Sequence, residues 1–238
     1  AALGLCVQAG DSAWARELWS EIQRDRVEPT KVEWTQYLDA LALHGGKEGW
    51  DTVVKELENP TYAHLRPNKV TLSSLTSAAS VQYDMHRVDW LWENLSADVE
   101  LDALVYCTRS KAYLLCSQPA RVLPIRAELE NRSIRPCFRT YTHEAQALLQ
   151  LLFTSPNNIS SYHDLKSTSQ QAWDALKDSR NTKHAAGNRG LAGLPSRMEE
   201  RQLEQMLALA DKILQGRRMA FHEVCVIEWP WRDGCASA

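Results

Sequence analysis

Val27-Glu28-Pro29-Thr30-Lys31-Val32-Glu33-Trp34 and Leu65-Arg66-Pro67-Asn68-Lys69-Val70-Thr71-Leu72 share one pattern. It runs as an apolar residue, any residue, proline, a small polar residue, then an aromatic or Leu four places on. Further along, Val99-Glu100-Leu101-Asp102 precedes Tyr106, and Ile134-Arg135-Pro136-Cys137 precedes Tyr141, with Leu101 in the proline position. The markers at 29, 67, 101 and 136 stand 38, 34 and 35 residues apart. A steady period of that size is the signature of a solenoid, and a missed repeat would misassign the whole fold.

The apolar residues between the markers are helical in spacing. Ala15, Leu18, Trp19 and Ile22 sit at i, i+3, i+4 and i+7, and the following units place Trp50, Val53, Val54 and Leu57, then Val88, Leu91, Trp92 and Leu95, then Val122, Ile125 and Leu129 at the same distance from their markers. Each set is one face of a second helix. A first helix precedes it, as in Glu33 to Leu43 or Thr71 to Ser80, after breaks at Gly10-Asp11, His44-Gly45-Gly46, Tyr83-Asp84 and Ser117-Gln118-Pro119. A lone helix pair cannot bury both apolar faces, so stacked neighbours must complete the core. The expected fold is all-α: a right-handed α-solenoid of helix hairpins over residues 1–180, in about five units. Leu18, Trp19, Leu57, Leu91, Trp92 and Leu129 should lie between its layers. Residues 181–195 read as a polar linker, and Ser196 with Glu199 forms a capping-box pattern opening an amphipathic helix over 196–216. Residues 217–238 read as an extended tail carrying the apolar run Phe221 to Trp229.

The 238 residues carry 27 Lys plus Arg against 30 Asp plus Glu, a net charge of −3, which argues against a generally basic nucleic-acid binder. Apolar runs fall short of the ~20 residues a membrane span needs. Six cysteines at 6, 107, 116, 137, 225 and 235 include no Cys-x-x-Cys, so neither a zinc site nor a disulfide framework is indicated, and a reducing compartment fits. Ala1 to Val7 already reads as helix interior, without a targeting segment, so the sequence is expected to begin inside a longer or processed protein. Most of the nine Trp, including Trp19, Trp50 and Trp92, occupy second-helix positions and are expected to pack rather than stack on a ligand.

Unit one carries Leu5-Cys6, Ala9-Gly10, Ala15, Glu17-Leu18-Trp19, Glu21-Ile22, Val27 and Pro29. Pro67-Asn68-Lys69-Val70-Thr71 and Thr140-Tyr141-Thr142 follow later. Together, over about residues 1–150, these resemble the pentatricopeptide repeat family, whose paired helices bind single-stranded RNA in a modular way. The tetratricopeptide repeat has nearly the same period, but its early Trp, Leu-Gly and Tyr signature is absent. Unit two departs from the family by the insertion Asn59 to His64, and unit three lacks the small residue in its second helix.

The resemblance implies roles for particular residues. In that family the fifth and last residues of a unit face the base, and the second wedges between bases. Carried over, the unit at Lys31 has Val32, Thr35 and Asn68 in those roles, and the unit at Lys69 has Val70, Ser73 and Asp102. The next has Leu104, Cys107 and Cys137, and the last keeps Arg139 and Thr142. Thr with Asn is the family's adenine pairing and Ser with Asp resembles its guanine pairing, whereas two cysteines match none. Lys31 and Lys69, with Arg109, Lys111, Arg135 and Arg139, could meet phosphates. A plainer alternative is that Thr35, Asn68, Ser73 and Asp102 are ordinary cap and turn residues.

No catalytic set emerges. His143-Glu144 lacks the His four places on, His222-Glu223 fails likewise, and the glycines of Gly187 to Gly193 are misspaced for a phosphate loop. The expected protein is a non-catalytic RNA-binding repeat protein of an organelle, mitochondrial or alternatively plastid. It would be a component of the mitochondrial ribosome or a factor bound to it, contacting ribosomal RNA and neighbouring proteins, with no cofactor, metal or small-molecule substrate. Alternatives are a helical-repeat adaptor binding only protein and a transcript-specific processing or stability factor.

Overall fold

The structure is a computed structural model describing residues 2–154, 164–172 and 174–175, and the single positions 201, 204, 205 and 208. All regular structure among these residues is helical, and none of these helices is long and apolar enough to cross a membrane. The readings for 181–195 and 217–238 lie outside the described residues; within 196–216, positions 201, 204, 205 and 208 are helical. Two compact units divide the chain at Cys116 and Ser117.

The first unit holds α1 (Ala2–Ala9), α2 (Ser12–Arg24), α3 (Lys31–His44), α4 (Gly46–Glu58), α5 (Lys69–Val81), α6 (Met85–Leu95) and α7 (Ala103–Leu115). They are hairpins, as the repeat requires. The first helices α1, α3, α5 and α7 stack in chain order, each on the next, while α2, α4 and α6 pack against them as a second layer. Trp19, Trp50, Val53, Val88, Leu91 and Trp92 of the second layer are buried. Leu18 and Leu57, expected between the layers, are only half-buried. Leu18 stands beside Trp19, which takes the inward place on α2, and Leu57 lies in the last turn of α4, which ends at Glu58.

Three helix ends of this unit share one device. Gly10, Arg26 and Tyr83 adopt positive φ just after α1, α2 and α5, and the next residue returns an N–H to a carbonyl five residues back: Asp11 to Cys6, Val27 to Ile22 and Asp84 to Ala79. This is the left-handed cap that consumes orphan carbonyls. Only one of the three is glycine, so the cap was legible at Gly10 and hidden at Arg26 and Tyr83. The α3–α4 corner uses glycine for space: a Cβ at Gly49 would lie 2.3 Å from the Leu41 carbonyl oxygen.

The insertion in unit two is structural. Pro60–Leu65 forms a 3₁₀ turn that buries Tyr62, whose ring sits 5.5 Å from that of Trp19 while its hydroxyl accepts from Gln23 Nε2 at 2.8 Å. Trp19 stacks in turn on Tyr37 at 4.5 Å.

The second unit, considered by itself, has a 3₁₀ turn at Pro119–Arg121, then α8 (Ile125–Asn131), α9 (Phe138–Thr154) and helical residues 164–172. The second helix of this repeat is short because Pro124 cannot donate to the preceding turn and stands as its N-cap. Val122, Ile125 and Leu129 are buried, as the spacing expects. Arg126 pairs with Glu144 at 3.2 Å, lies 5.9 Å over the Tyr141 ring and bonds Gln171. Burial pushes the Glu144 carboxyl up, against the opposing pull of Arg126.

Candidate nucleic-acid interface

The marker loops end as N-caps. Thr30, Asn68 and Asp102 hold extended backbone and cap α3, α5 and α7. Thr30 Oγ1 accepts from Glu33 N at 3.3 Å and Glu33 Oε2 accepts from Thr30 N at 2.8 Å, a reciprocal capping box. These bonds hold the Glu33 carboxyl below its usual range. Asn68 Oδ1 accepts from Val70 N and Thr71 N at 2.9 and 3.0 Å, and Asp102 Oδ1 accepts from Leu104 N and Val105 N, both at 3.0 Å. Asn68 and Asp102 are therefore helix caps, as the plainer alternative has them. Capping consumes one side-chain oxygen of each; it leaves the amide nitrogen of Asn68 outside the cap, whereas the second oxygen of Asp102 is held by Lys69.

The residue two places past each cap is exposed and apolar. Val32 is 65% exposed, Val70 60% and Leu104 46%, high values for residues in a repeat that buries its neighbours. The first helices run in parallel register. Near their N-terminal ends Thr35 of α3 meets Thr71 of α5 at 2.9 Å, and Lys69 of α5 meets Asp102, the cap of α7, at 2.7 Å. At the opposite ends His44 bonds the Val7 carbonyl at 3.0 Å, and Gln82 Nε2 donates to the Ala42 carbonyl. Val32, Val70 and Leu104 consequently form a row along one edge, one per first helix.

Behind this row the fifth residues lie deeper. Thr35 and Cys107 are buried, and Ser73 is half-buried. In the second unit, Thr142 is buried with its hydroxyl donating to the Phe138 carbonyl at 3.1 Å, and Cys137 N donates to Thr140 Oγ1 at 3.2 Å, as Asn68 N does to Thr71 Oγ1 at 3.5 Å. Arg139 is half-buried.

Two cations differ from the phosphate-facing reading. Lys69 is committed to Asp102, which raises the affinity of its amine for a proton through that hydrogen bond. Partial burial works against the Asp102 charge, but Lys69 and the two backbone N–H groups outweigh it and hold the carboxyl below its usual range. Arg109 points toward the second layer: its guanidinium stacks 4.4 Å over Trp92, and its Nε donates to the Tyr113 hydroxyl at 2.7 Å. Trp92 offers a face that a guanidinium seeks when desolvated, which spacing along α7 could not reveal. Lys31 is half-buried at the first position of α3.

The sequence pattern gave no role of their own to Thr71, present only as part of the marker motif, or to Asp39. Thr71, fully buried, joins Thr35 to Asn68. Asp39 of α3 is largely buried against Ser74 of α5, and burial lifts its carboxyl to about 6. Its position three past Gln36 carried no motif.

In sequence, no family model matches this chain and no curated protein does. Solved structures do resemble it in fold. The pentatricopeptide repeat protein PPR10 in complex with an 18-nt psaJ RNA element superposes with a TM-score of 0.55 at 19% identity, over 90% of this chain and 32% of that one. The PPR domain of Arabidopsis thaliana protein-only RNase P 1, in complex with tRNA, also gives 0.55, at 14% identity over 87% of this chain and 95% of that domain. PPR10 from maize gives 0.52 at 19% identity, again with this chain spanning 32% of its length. The fold is thus an α-solenoid of helix hairpins, and specifically that of pentatricopeptide repeats.

Proposed function

We propose that this chain is a non-catalytic protein that binds single-stranded RNA along the N-terminal edge of α3, α5 and α7. The observation that carries the reading is the row Val32, Val70, Leu104, exposed at the same place in three successive repeats, each two residues past the cap of its helix, Thr30, Asn68 or Asp102. Packed helices stand about 8–10 Å apart, too far for bases in a continuous stack. Bases along this edge must splay apart, and a stiff apolar side chain between them replaces the lost stacking surface. The structural likeness to proteins solved with psaJ RNA and with tRNA supports this reading.

The proposed setting is a mitochondrial ribonucleoprotein, as a ribosome component or ribosome-bound factor touching ribosomal RNA and neighbouring proteins. Its support is the small number of units with a polar base-facing pair, Thr35 with Asn68 and Ser73 with Asp102. Two bases hold too little information to find one transcript, so protein contacts must supply the rest.

Binding of labelled ten-nucleotide single strands, followed by fluorescence anisotropy, tests the edge. Val32→Asp with Val70→Asp should lower affinity at least tenfold through lost stacking and added repulsion, with unchanged helix content, since base stacking is worth about 1–3 kcal/mol each. Wild-type protein that binds no strand refutes the RNA reading. Co-sedimentation with mitochondrial ribosomes after a high-salt wash tests the setting, and protein left at the top of the gradient refutes it.

A further inference from the structure

The three hydroxyl and amide groups Thr35, Thr71 and Asn68 form a chain whose proton order can be read from its last member. Asn68 Oδ1 accepts from two backbone N–H groups, at 2.9 and 3.0 Å, so this atom is the carbonyl oxygen and the amide nitrogen faces away from the cap. Thr71 Oγ1 lies 3.2 Å from that oxygen, which has no proton to give, so the Thr71 proton points to Asn68. With its proton so placed, Thr71 Oγ1 accepts at its remaining contacts, from Asn68 N at 3.5 Å and from Thr35 Oγ1 at 2.9 Å. Thr35 is left with lone pairs and no proton for the groove. Ordinary helical hydroxyls in this chain spend their protons on the carbonyl one turn back, as Ser110 does on Tyr106 and Thr142 on Phe138.

We infer that Thr71 is a positioning residue for base discrimination: its buried hydroxyl fixes Thr35 as an acceptor beside the donor-only amide nitrogen of Asn68. The inference rests on the RNA reading above. A base whose edge offers an amino N–H and an unprotonated ring nitrogen, adenine being the one expected here, satisfies both groups at once. A 6-keto purine in the same register places a carbonyl oxygen against Thr35 and a ring N–H against the Asn68 amide, leaving both mismatched. Thr71 touches no base. It acts by denying Thr35 the choice of donating.

The test compares single strands carrying adenine or hypoxanthine at the position facing this unit. Wild-type protein should prefer adenine. Thr71→Val keeps the shape but lets Thr35 turn its proton outward or rotate onto the Lys31 carbonyl, and the adenine preference should narrow by about tenfold, one hydrogen-bond mismatch. Thr71→Ser should restore the preference. Thr35→Val should narrow it equally, and adding Thr71→Val to Thr35→Val should change it no further; because Thr35→Val leaves the Thr71–Asn68 cap in place, it and Thr71→Ser carry the test if Thr71→Val folds poorly. Equal loss of affinity for both strands in Thr71→Val, with the ratio kept, makes Thr71 a helix cap only and overturns the inference while leaving RNA binding intact. Absence of binding by the wild type overturns the RNA reading itself, and the inference with it.

Discussion

Asp39 makes pH a probe of the stack of first helices. Its carboxyl is largely buried between α3 and α5, where Ser74 donates to it and its Oδ1 has no hydrogen-bond partner among the described residues. Loss of hydration raises the folded-state value to about 6 from 3.8. Between those values the folded chain keeps a proton that the unfolded chain releases, so stability falls as pH rises through this window. Below about 3.8 the penalty is absent, and above about 6 it is complete. The two values differ by a little over two units, each about 1.4 kcal/mol, which sets an upper limit of about 3 kcal/mol. Asp39→Asn cannot ionise and still accepts from Ser74. It should melt higher than wild type at pH 7.5 by several degrees, since about 1 kcal/mol moves Tm by roughly 2–4 °C in a chain of this size. Thermal melts from pH 4 to 8 should show the gap closing toward pH 4. Parallel curves at all pH values would refute the reasoning and place the carboxyl in water.

Other expectations follow from packing and charge. Trp92→Ala removes a buried ring 5.4 Å from Tyr106 and strips Arg109 of its stacking face, so urea melts should show a loss of about 3–5 kcal/mol; a near-neutral shift would put Trp92 on the surface. Gly49→Ala drives a methyl against the Leu41 carbonyl, whose backbone cannot yield without parting α3 from α4, and should cost about 1–3 kcal/mol in the same assay. Lys31→Ala should reduce the slope of log affinity against log salt by about 1, one phosphate contact, while Lys69→Met should leave it nearly unchanged because that ammonium is already held by Asp102. Equal slopes for the two variants would mean that Lys69 leaves Asp102 when RNA binds.

The repeat was legible because its marker is physical. A cap residue, preceded by proline or in one unit by Leu101, opens α3, α5 and α7, and the fixed distance to the buried face of the second helix repeats with it. Trp19, Trp50 and Trp92 could be assigned to the core for that reason, and the structure buries all three. Leu18 and Leu57 could not be ranked against their neighbours, since periodicity tells which side of a helix a residue is on and not how deep the partner layer reaches. Left-handed caps at Arg26 and Tyr83 were hidden because these residues are not the usual occupants of positive φ, and the tertiary stack overrides their preference.

Of the proposed RNA-facing edge, the sequence marked the apolar positions Val32, Val70 and Leu104 and left the hydrogen bonds of the polar ones unmarked. Exposure of Val32, Val70 and Leu104 follows from their place two residues past a cap, where a helix has not yet turned toward its neighbour. What a hydroxyl does depends instead on the next repeat: Thr35 is engaged by a residue 36 positions on, and Lys69 by one 33 positions on. Both contacts join one repeat's first helix to its successor, so the polar chemistry of a unit belongs to the pair. A pairing of two residues taken within each unit leaves out the third, Thr71, which settles which of them can donate. Under the RNA reading proposed here, base preference should for this reason respond to changes in buried hydroxyls between repeats, and not only to changes in the side chains along the exposed edge.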